Sequence, residues 1–339
     1  MSNDAKDFLA IAIYVDDFIT ITNNTPLRES IMKRMEKKFK VVSLGHAKWI
    51  LGVKIEKTPQ GIQLSQEKYA QDIITKFGMK NAKPVITPVV PDNARTAKSS
   101  TKPVDKKEYM SMVGSLIYLA VITRPDIAFA VSKVGQAMAD PKPEDVVAVK
   151  RIMCYIIKEP ALSLHYQRRT GVTLIGYSDS DWAGDTETRK STMGYVFTLA
   201  GAAISWNSRK QQTVVLSTAE AKYMAVAATT QEAIHLRALL EELGFKQKKP
   251  TLIYQDNQSS IAIAHNDTSN RRTKHIDIRY HFVRERILTR EIRIEYLPTE
   301  SMIADCLTKA VGKQVLDRAK GKIFGPQIHG KTTGSEGEC

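Results

Sequence analysis

Cysteine is scarce in these 339 residues: Cys154, Cys306 and Cys339 are the only three. They are too few and too scattered for a disulfide framework, and their spacing fits no zinc motif, which points to a reducing compartment. Long apolar runs are missing as well. The best candidate, Gly114 to Val131, is broken by Arg124-Pro125-Asp126, so the ~18 consecutive apolar residues of a membrane span are never reached. The opening Met1-Ser2-Asn3-Asp4 is polar and acidic, unlike a secretory leader. Acidic residues are in deficit: 36 Asp+Glu face 50 Lys+Arg, giving a net charge of +14 and a pI near 9.5. That excess selects a polyanionic partner, either nucleic acid or an anionic membrane surface. The remaining composition, 42% hydrophobic and 25% charged, is globular and excludes wholesale disorder. The length suits two or three domains.

Two β-branched runs, Phe8 to Tyr14 and Phe18 to Thr22, flank Val15-Asp16-Asp17 and predict a β-hairpin. Pro26 to Phe39 reads as a helix, with Pro26 in the first turn and Ile31, Met35 and Phe39 recurring at helical spacing. Lys48 to Lys57 and Gly61 to Ser65 predict a second hairpin, and Glu67 to Phe77 a helix ending near Gly78. Pro84 to Lys106, with four prolines and many Ser, Thr and Lys, predicts a linker. Glu108 to Val121, Ile127 to Met138 and Pro143 to Ile157 predict a small helical bundle. Arg168-Arg169-Thr170-Gly171 marks a boundary.

Beyond that boundary a strand is expected at Thr173 to Ser178. A hairpin follows at Thr192 to Leu199 and Ala202 to Asn207, then a further apolar run at Thr213 to Leu216. The capping-box pattern Ser217-Thr218-Ala219-Glu220 opens a long helix that Gly244 stops. Next come a strand at Thr251 to Gln255, a short helix at Ser259 to His265, a basic helix at Ile278 to Leu288 and a strand at Glu291 to Leu297. A short helix at Met302 to Lys309 ends the series. Strands and helices interleaved in this way predict a layered α/β domain. Gly330 to Cys339, polar and glycine-rich, is expected to be disordered.

Four carboxylates fall at informative places in that layout. Asp179 and Asp256 follow strands, at the rim where open α/β sheets build their sites. Glu220 lies in the first turn of the long helix and Asp305 on the last short one. If those two strands are neighbours, Asp179 and Asp256 lie a few ångström apart, where like charges repel and call for divalent cations. An all-oxygen ligand set selects Mg²⁺ or Mn²⁺, and two such ions about 4 Å apart assist phosphodiester cleavage. An aspartate after a strand is equally a helix cap or a turn residue, and Glu220 can be only the reciprocal half of the capping box. The joint placement, not any single acid, favours the metal reading.

The strings Tyr177-Ser178-Asp179-Ser180-Asp181-Trp182, Ser217-Thr218-Ala219-Glu220-Ala221-Lys222-Tyr223, Asp256-Asn257-Gln258-Ser259 and Ile303-Ala304-Asp305-Cys306-Leu307-Thr308-Lys309 resemble the ribonuclease H domain of copia-type LTR retrotransposon polyproteins. The resemblance implies an RNase H fold, a mixed five-stranded sheet with flanking helices, and hydrolysis of the RNA strand of an RNA–DNA hybrid. It implies Asp179, Glu220, Asp256 and Asp305 as ligands of two Mg²⁺ or Mn²⁺ ions, with Asp181 and Asp185 as rivals near the first position. Hybrid phosphates would be held by Arg271, Arg272, Lys274, His275, Arg279 and His281, with Asn257 beside the acids; the competing reading is a solvated basic face. No cysteine stands at a spacing that would let His275 or His281 bind zinc.

Near the N-terminus, Tyr14-Val15-Asp16-Asp17 sits at the expected hairpin tip. Adjacent aspartates on such a turn suit two-metal nucleotidyl transfer, although Asp-Asp is also common in turns. With Leu44-Gly45, Trp49-Ile50-Leu51-Gly52, Leu64-Ser65-Gln66 and Tyr109 to Leu119, this segment resembles the palm, thumb and connection of a copia-type reverse transcriptase. The implied organisation is a truncated palm over 1–83, a linker and helical region over 84–168, the RNase H-like domain over 169–325 and a tail over 326–339. Fingers and a third palm aspartate would lie upstream of the first strand, so polymerase activity is not expected from this chain alone. The resemblance further implies partners among element-encoded capsid, integrase and upstream reverse transcriptase segments. The expected location is the cytoplasm, within a virus-like particle, or the nucleus.

Overall fold

The structure, a computed structural model, describes residues 7–90, 103–168, 170–185, 188–215, 217–265 and 274–327, the side chains of 274–278 excepted. The tail from 328 onward and the middle of the expected linker, 91–102, lie outside the described residues. The chain forms two compact units, Met1–Leu51 and Gly52–Cys339.

In the first unit the two apolar runs pair as expected. Strands β1 (Leu9–Tyr14) and β2 (Asp17–Thr22) are antiparallel, with Tyr14 opposite Asp17, which leaves Val15-Asp16 as a two-residue turn. Val15 has φ +51°, the left-handed value that such hairpin turns demand. Helix α1 (Thr25–Glu36) starts where Asn24 Oδ1 accepts from the Leu27 N–H at 2.9 Å, with Pro26 in its first turn. A short strand, β3 (Trp49–Ile50), follows.

The second unit begins with the hairpin β4 (Val53–Thr58) and β5 (Gly61–Ser65), then helix α2 (Glu67–Lys76). Three helices follow: α3 (Lys106–Ile122), α4 (Ala128–Gly135) and α5 (Pro143–Lys158). Asp105 caps α3 by accepting from the N–H groups of Lys107 and Glu108. Strand β6 (Leu164–Gln167), not foreseen in the sequence, pairs antiparallel with β5.

The five-stranded sheet implied by the family resemblance is present, in the order β11-β10-β7-β8-β9. Its antiparallel part is β7 (Ile175–Ser180), β8 (Thr192–Leu199) and β9 (Ala202–Lys210). Strand β10 (Thr251–Gln255) runs parallel to β7, and β11 (Ile292–Tyr296) parallel to β10. Helices α6 (Thr218–Glu242), α7 (Gln258–His265) and α8 (Lys274–Leu288) connect these strands. The fold is therefore mixed α/β. Residues 213–215 carry no strand, and Leu216 lies outside the described residues. The expected last helix is a 3₁₀ turn, Ile303–Leu307, and a further helix, α9 (Lys313–Ile323), follows it.

Strand alternation sends side chains to two cores. Phe197, Ile253, Ile292 and Ile294 face Tyr223, Val226, Leu236 and Val283 on one side. Tyr177, Val196 and Ala203 join Leu116, Ile127, Ile152, Leu307, Leu316 and Phe324 on the other. That second core is continuous through the helical block, so the expected boundaries near 83 and 168 fall inside one unit. Strand β6 explains why: besides β5, its Gln167 N–H donates to Ala200 O at 2.7 Å, between β8 and β9.

Gly194 fixes how closely the 3₁₀ turn approaches the sheet. It stands opposite Asp179, and a Cβ there would lie 2.7 Å from Leu307 Cβ and 3.1 Å from Leu307 O. Gly194→Ala therefore pushes the turn off the sheet. The expected loss is about 1–3 kcal/mol, read from urea unfolding, and an unchanged midpoint would disprove the close approach.

Candidate functional site

The C-terminal ends of β7 and β10, parallel neighbours, bring two carboxylates together. Asp179 is the penultimate residue of β7, and Asp256 directly follows β10. Asp305 joins them from the Ile303–Leu307 turn. One oxygen from each of the three lies within 4.8 Å of the others. Three of the four acids singled out in the sequence thus meet at one rim. Glu220 does not belong to this group: it sits in the first turn of α6, where its N–H donates to Ser217 Oγ at 3.2 Å, one half of the expected capping box.

Lys222, two residues beyond Glu220, reaches the centre instead. Its Nζ donates to Asp179 Oδ1 at 2.8 Å and also to Asp256 Oδ1. Thr308 Oγ1 donates to the second Asp179 oxygen, and Thr299 Oγ1 to Asp256 Oδ2 at 3.0 Å. Lys309 Nζ lies 3.0 Å from Asp305 Oδ2 and 4.0 Å from Asp179 Oδ2. Asp305 Oδ1 is buried without a hydrogen-bond partner.

The charges follow from this wiring. Burial alone would raise the Asp179 carboxyl, but the Lys222 and Lys309 ammoniums and the bonds from Lys222 and Thr308 hold it below the usual carboxylate range. Burial would likewise neutralise Lys222; the facing Asp179 and Asp256 override it and keep the ammonium charged. Asp305 is pushed up to about 7, by burial first and by repulsion from Asp179 second.

Three carboxylate oxygens at this separation are compatible with a divalent metal, and the orphaned Asp305 Oδ1 is an acceptor lacking a partner. The two lysines weigh against it. Two of the three acids already share one ammonium, and the third pairs with another. With Lys222 seated, the residues do not fit a pair of divalent ions.

The remaining sequence candidates lie elsewhere. Asp16 and Asp17 are exposed at the hairpin tip of the first unit, outside the acid group found among the described residues. Asp181 Oδ1 accepts from the Thr192 N–H at 2.5 Å, and burial followed by Asp179 repulsion raises its carboxyl to about 6. Asp185 pairs with Lys210 and accepts from the Thr188 N–H, holding its own loop. Asn257 Oδ1 accepts from the Ser260 N–H at 2.8 Å, near the start of α7. Arg279 Nη1 lies 2.7 Å from Met224 Sδ, and His281 is exposed on α8. Arg271 and Arg272 lie outside the described residues, as do the side chains of Lys274 and His275.

Sequence reasoning passed over Lys222, Thr299, Thr308 and Lys309 as site residues. For Lys222 a signal existed: it is the one charged residue in the run Ala221 to Ala227, all of it buried. A charge inside such a run requires an ionic partner.

The second unit thus holds a mixed sheet with three aspartates on one rim, and the first an aspartate-tipped hairpin; likeness to known proteins gives the class, a reverse transcriptase and RNase H-like protein of transposon origin. A family model described as reverse transcriptase (RNA-dependent DNA polymerase) matches residues 2–91. The chain is 39% identical over 323 residues to the retrovirus-related Pol polyprotein from transposon TNT 1-94 of Nicotiana tabacum. It is 36% identical over 318 residues to that from transposon RE1 of Arabidopsis thaliana. These alignments cover 93% and 94% of this chain but only 24% and 22% of the polyproteins. Among solved structures, LC11-RNase H1 in complex with an RNA/DNA hybrid matches over 40% of this chain and 94% of its own, at 13% identity and a TM-score of 0.31. The chain belongs to the Pol polyprotein family of copia-type transposons. Among the described residues no helix is long and apolar enough to cross a membrane.

Proposed function

We propose that this chain serves as the nucleic-acid-processing part of a transposon Pol polyprotein, and that its second unit engages RNA–DNA hybrids across the rim of Asp179, Asp256 and Asp305. The observation that carries the reading is the meeting of these three acids at the strand ends of an RNase H-like sheet. The +14 charge supplies the attraction for a polyanion. Its proposed setting is the cytoplasm, within a virus-like particle, or the nucleus, alongside other element-encoded products.

The acids by themselves favour hydrolysis of the RNA strand with two Mg²⁺ or Mn²⁺ ions. The ammonium on Asp179 and Asp256 favours a second reading, in which hybrid is bound and left uncut. Fluorescence anisotropy with a labelled hybrid and with duplex DNA of the same sequence tests the common ground. Tighter binding of hybrid is expected, with affinity falling linearly in log–log salt plots. Equal affinity for both duplexes, or none for either, would reject the proposal. Wild-type cleavage in Mg²⁺ that Asp179→Asn abolishes would select hydrolysis over binding alone.

A further inference from the structure

We infer that Lys222 is a resident counter-ion that keeps divalent cations out of the Asp179–Asp256–Asp305 centre, leaving the chain able to bind hybrid but not to cut it. This rests on the reading that the triad is the cation centre of the second unit.

The geometry is specific. Lys222 Nζ donates to one oxygen of each strand-end aspartate, the same pair that a bridging cation would need. Its side chain is only 11% exposed, so it is not a surface charge that brushes past. Its neighbours on α6, Ala221 and Tyr223, are fully buried, which fixes where the lysine stem enters. A divalent ion bound to those oxygens would sit about 2.0–2.6 Å from each, in the space that the ammonium takes. It would also face an unneutralised positive charge in a poorly hydrated pocket, where repulsion is weakly screened.

Lys309 differs. Its side chain is 40% exposed, so it can swing into water as a cation arrives. Lys222 is held more firmly: its side chain is only 11% exposed, and its ammonium is shared between two aspartates. Asp305 Oδ1, buried and unpartnered beside the pair, is the mark of a latent site: an acceptor that neither lysine satisfies. Lysine at position 222 therefore decides whether the rim is a cation site or an internal ion pair.

The test titrates Mn²⁺ into the full chain by calorimetry and by electron paramagnetic resonance, with thermal melting alongside. Lys222→Gln keeps a hydrogen-bond donor without the charge, and Lys222→Glu adds a carboxylate; Lys309→Gln is the control. Lys222→Gln is expected to bind Mn²⁺ at least about tenfold more tightly than wild type. Mn²⁺ should raise its melting temperature by about 5 °C and leave that of wild type unmoved. Lys309→Gln should behave nearly as wild type. Should Lys222→Glu fail to fold without metal, the glutamine variant carries the comparison.

Equal Mn²⁺ affinity in wild type and Lys222→Gln would overturn the inference, as would a folded Lys222→Gln that takes up no ion. The underlying reading fails separately, if uptake by Lys222→Gln survives Asp179→Asn, since the ion would then sit elsewhere. Uptake by Lys222→Gln that Asp179→Asn removes supports both. Hybrid cleavage gained along with that uptake completes the case that lysine alone closed the centre.

Discussion

At pH 7, Arg124→Met lowers the unfolding free energy of the second unit by about 3–5 kcal/mol, and the deficit narrows as the pH falls. Arg124 is 1% exposed and holds Asp126 through two bonds of 2.8 Å, from Nε and Nη2 to the two carboxylate oxygens. Tyr155 donates a third bond to Asp126 at 2.8 Å, and Arg124 Nη1 donates to Glu159 O at 3.0 Å. Removing the guanidinium leaves a buried carboxylate with one neutral donor. That is the costly way to break such a pair, since desolvation remains and the compensating charge is gone.

The pH dependence follows from the same contacts. Burial would raise the Asp126 carboxyl, but the charge and hydrogen bonds of Arg124 override it and hold the group below the usual range. A depressed carboxyl contributes stability above its unfolded value of about 4 and loses it as the pH falls through the folded value. The wild-type pair therefore holds from neutral pH down to about 4. In Arg124→Met burial acts with little opposition, and the folded carboxyl rises above its unfolded value. Its cost is then full at high pH and is relieved as the pH falls through that raised value. Urea unfolding at pH 8 and at pH 5 reads the difference; equal deficits at both would rule out an ionised Asp126 as the cause. The double variant Arg124→Met, Asp126→Leu should recover most of the loss, because both charges leave together.

What the sequence revealed was whatever local chemistry decides. The Asp16 turn, Pro26 in the first turn of α1, the Ser217 cap and the stop at Gly244 are written in a few adjacent residues, and the structure carries each. The strand-end placement of Asp179 and Asp256 was also legible, because alternation and a following turn mark a strand end within six residues or so. The boundary near 168 was not. Leu164 to Gln167 is four residues long and is a strand only because Gly61 to Leu64 lies beside it. Helix α9 buries Leu316, Ala319 and Ile323 in a core shared with strand β9, about a hundred residues earlier, and no local pattern announces that partner. Glu220 and Lys222 make the same point at the site. Motif position favoured the glutamate, but the direction in which a helix presents its first turn to the sheet puts the lysine on the acids.

Phe324→Ala should cost about 3–5 kcal/mol and loosen both faces of the junction that the sequence took for a boundary. Phe324 is fully buried in the core shared by the helical block and the sheet. Its carbonyl accepts from the His165 N–H at 2.8 Å, and Gly325, at φ +69°, turns the chain back along β6. His165 Nδ1 then lies 2.7 Å from Pro326 O, and Gln327 Nε2 donates to Ser163 O at 3.0 Å. The segment clamps β6 between the hairpin β4–β5 and the larger sheet, so an emptied ring pocket is felt on both sides. Trp206 offers a probe at the contact itself, since its Nε1–H donates to Ala120 O on α3 at 2.8 Å. Tryptophan emission and far-ultraviolet dichroism should report one transition in the wild type and one in Phe324→Ala, displaced together. Two separated transitions would mean that the helical block and the sheet unfold independently, and that the continuous core does not couple them.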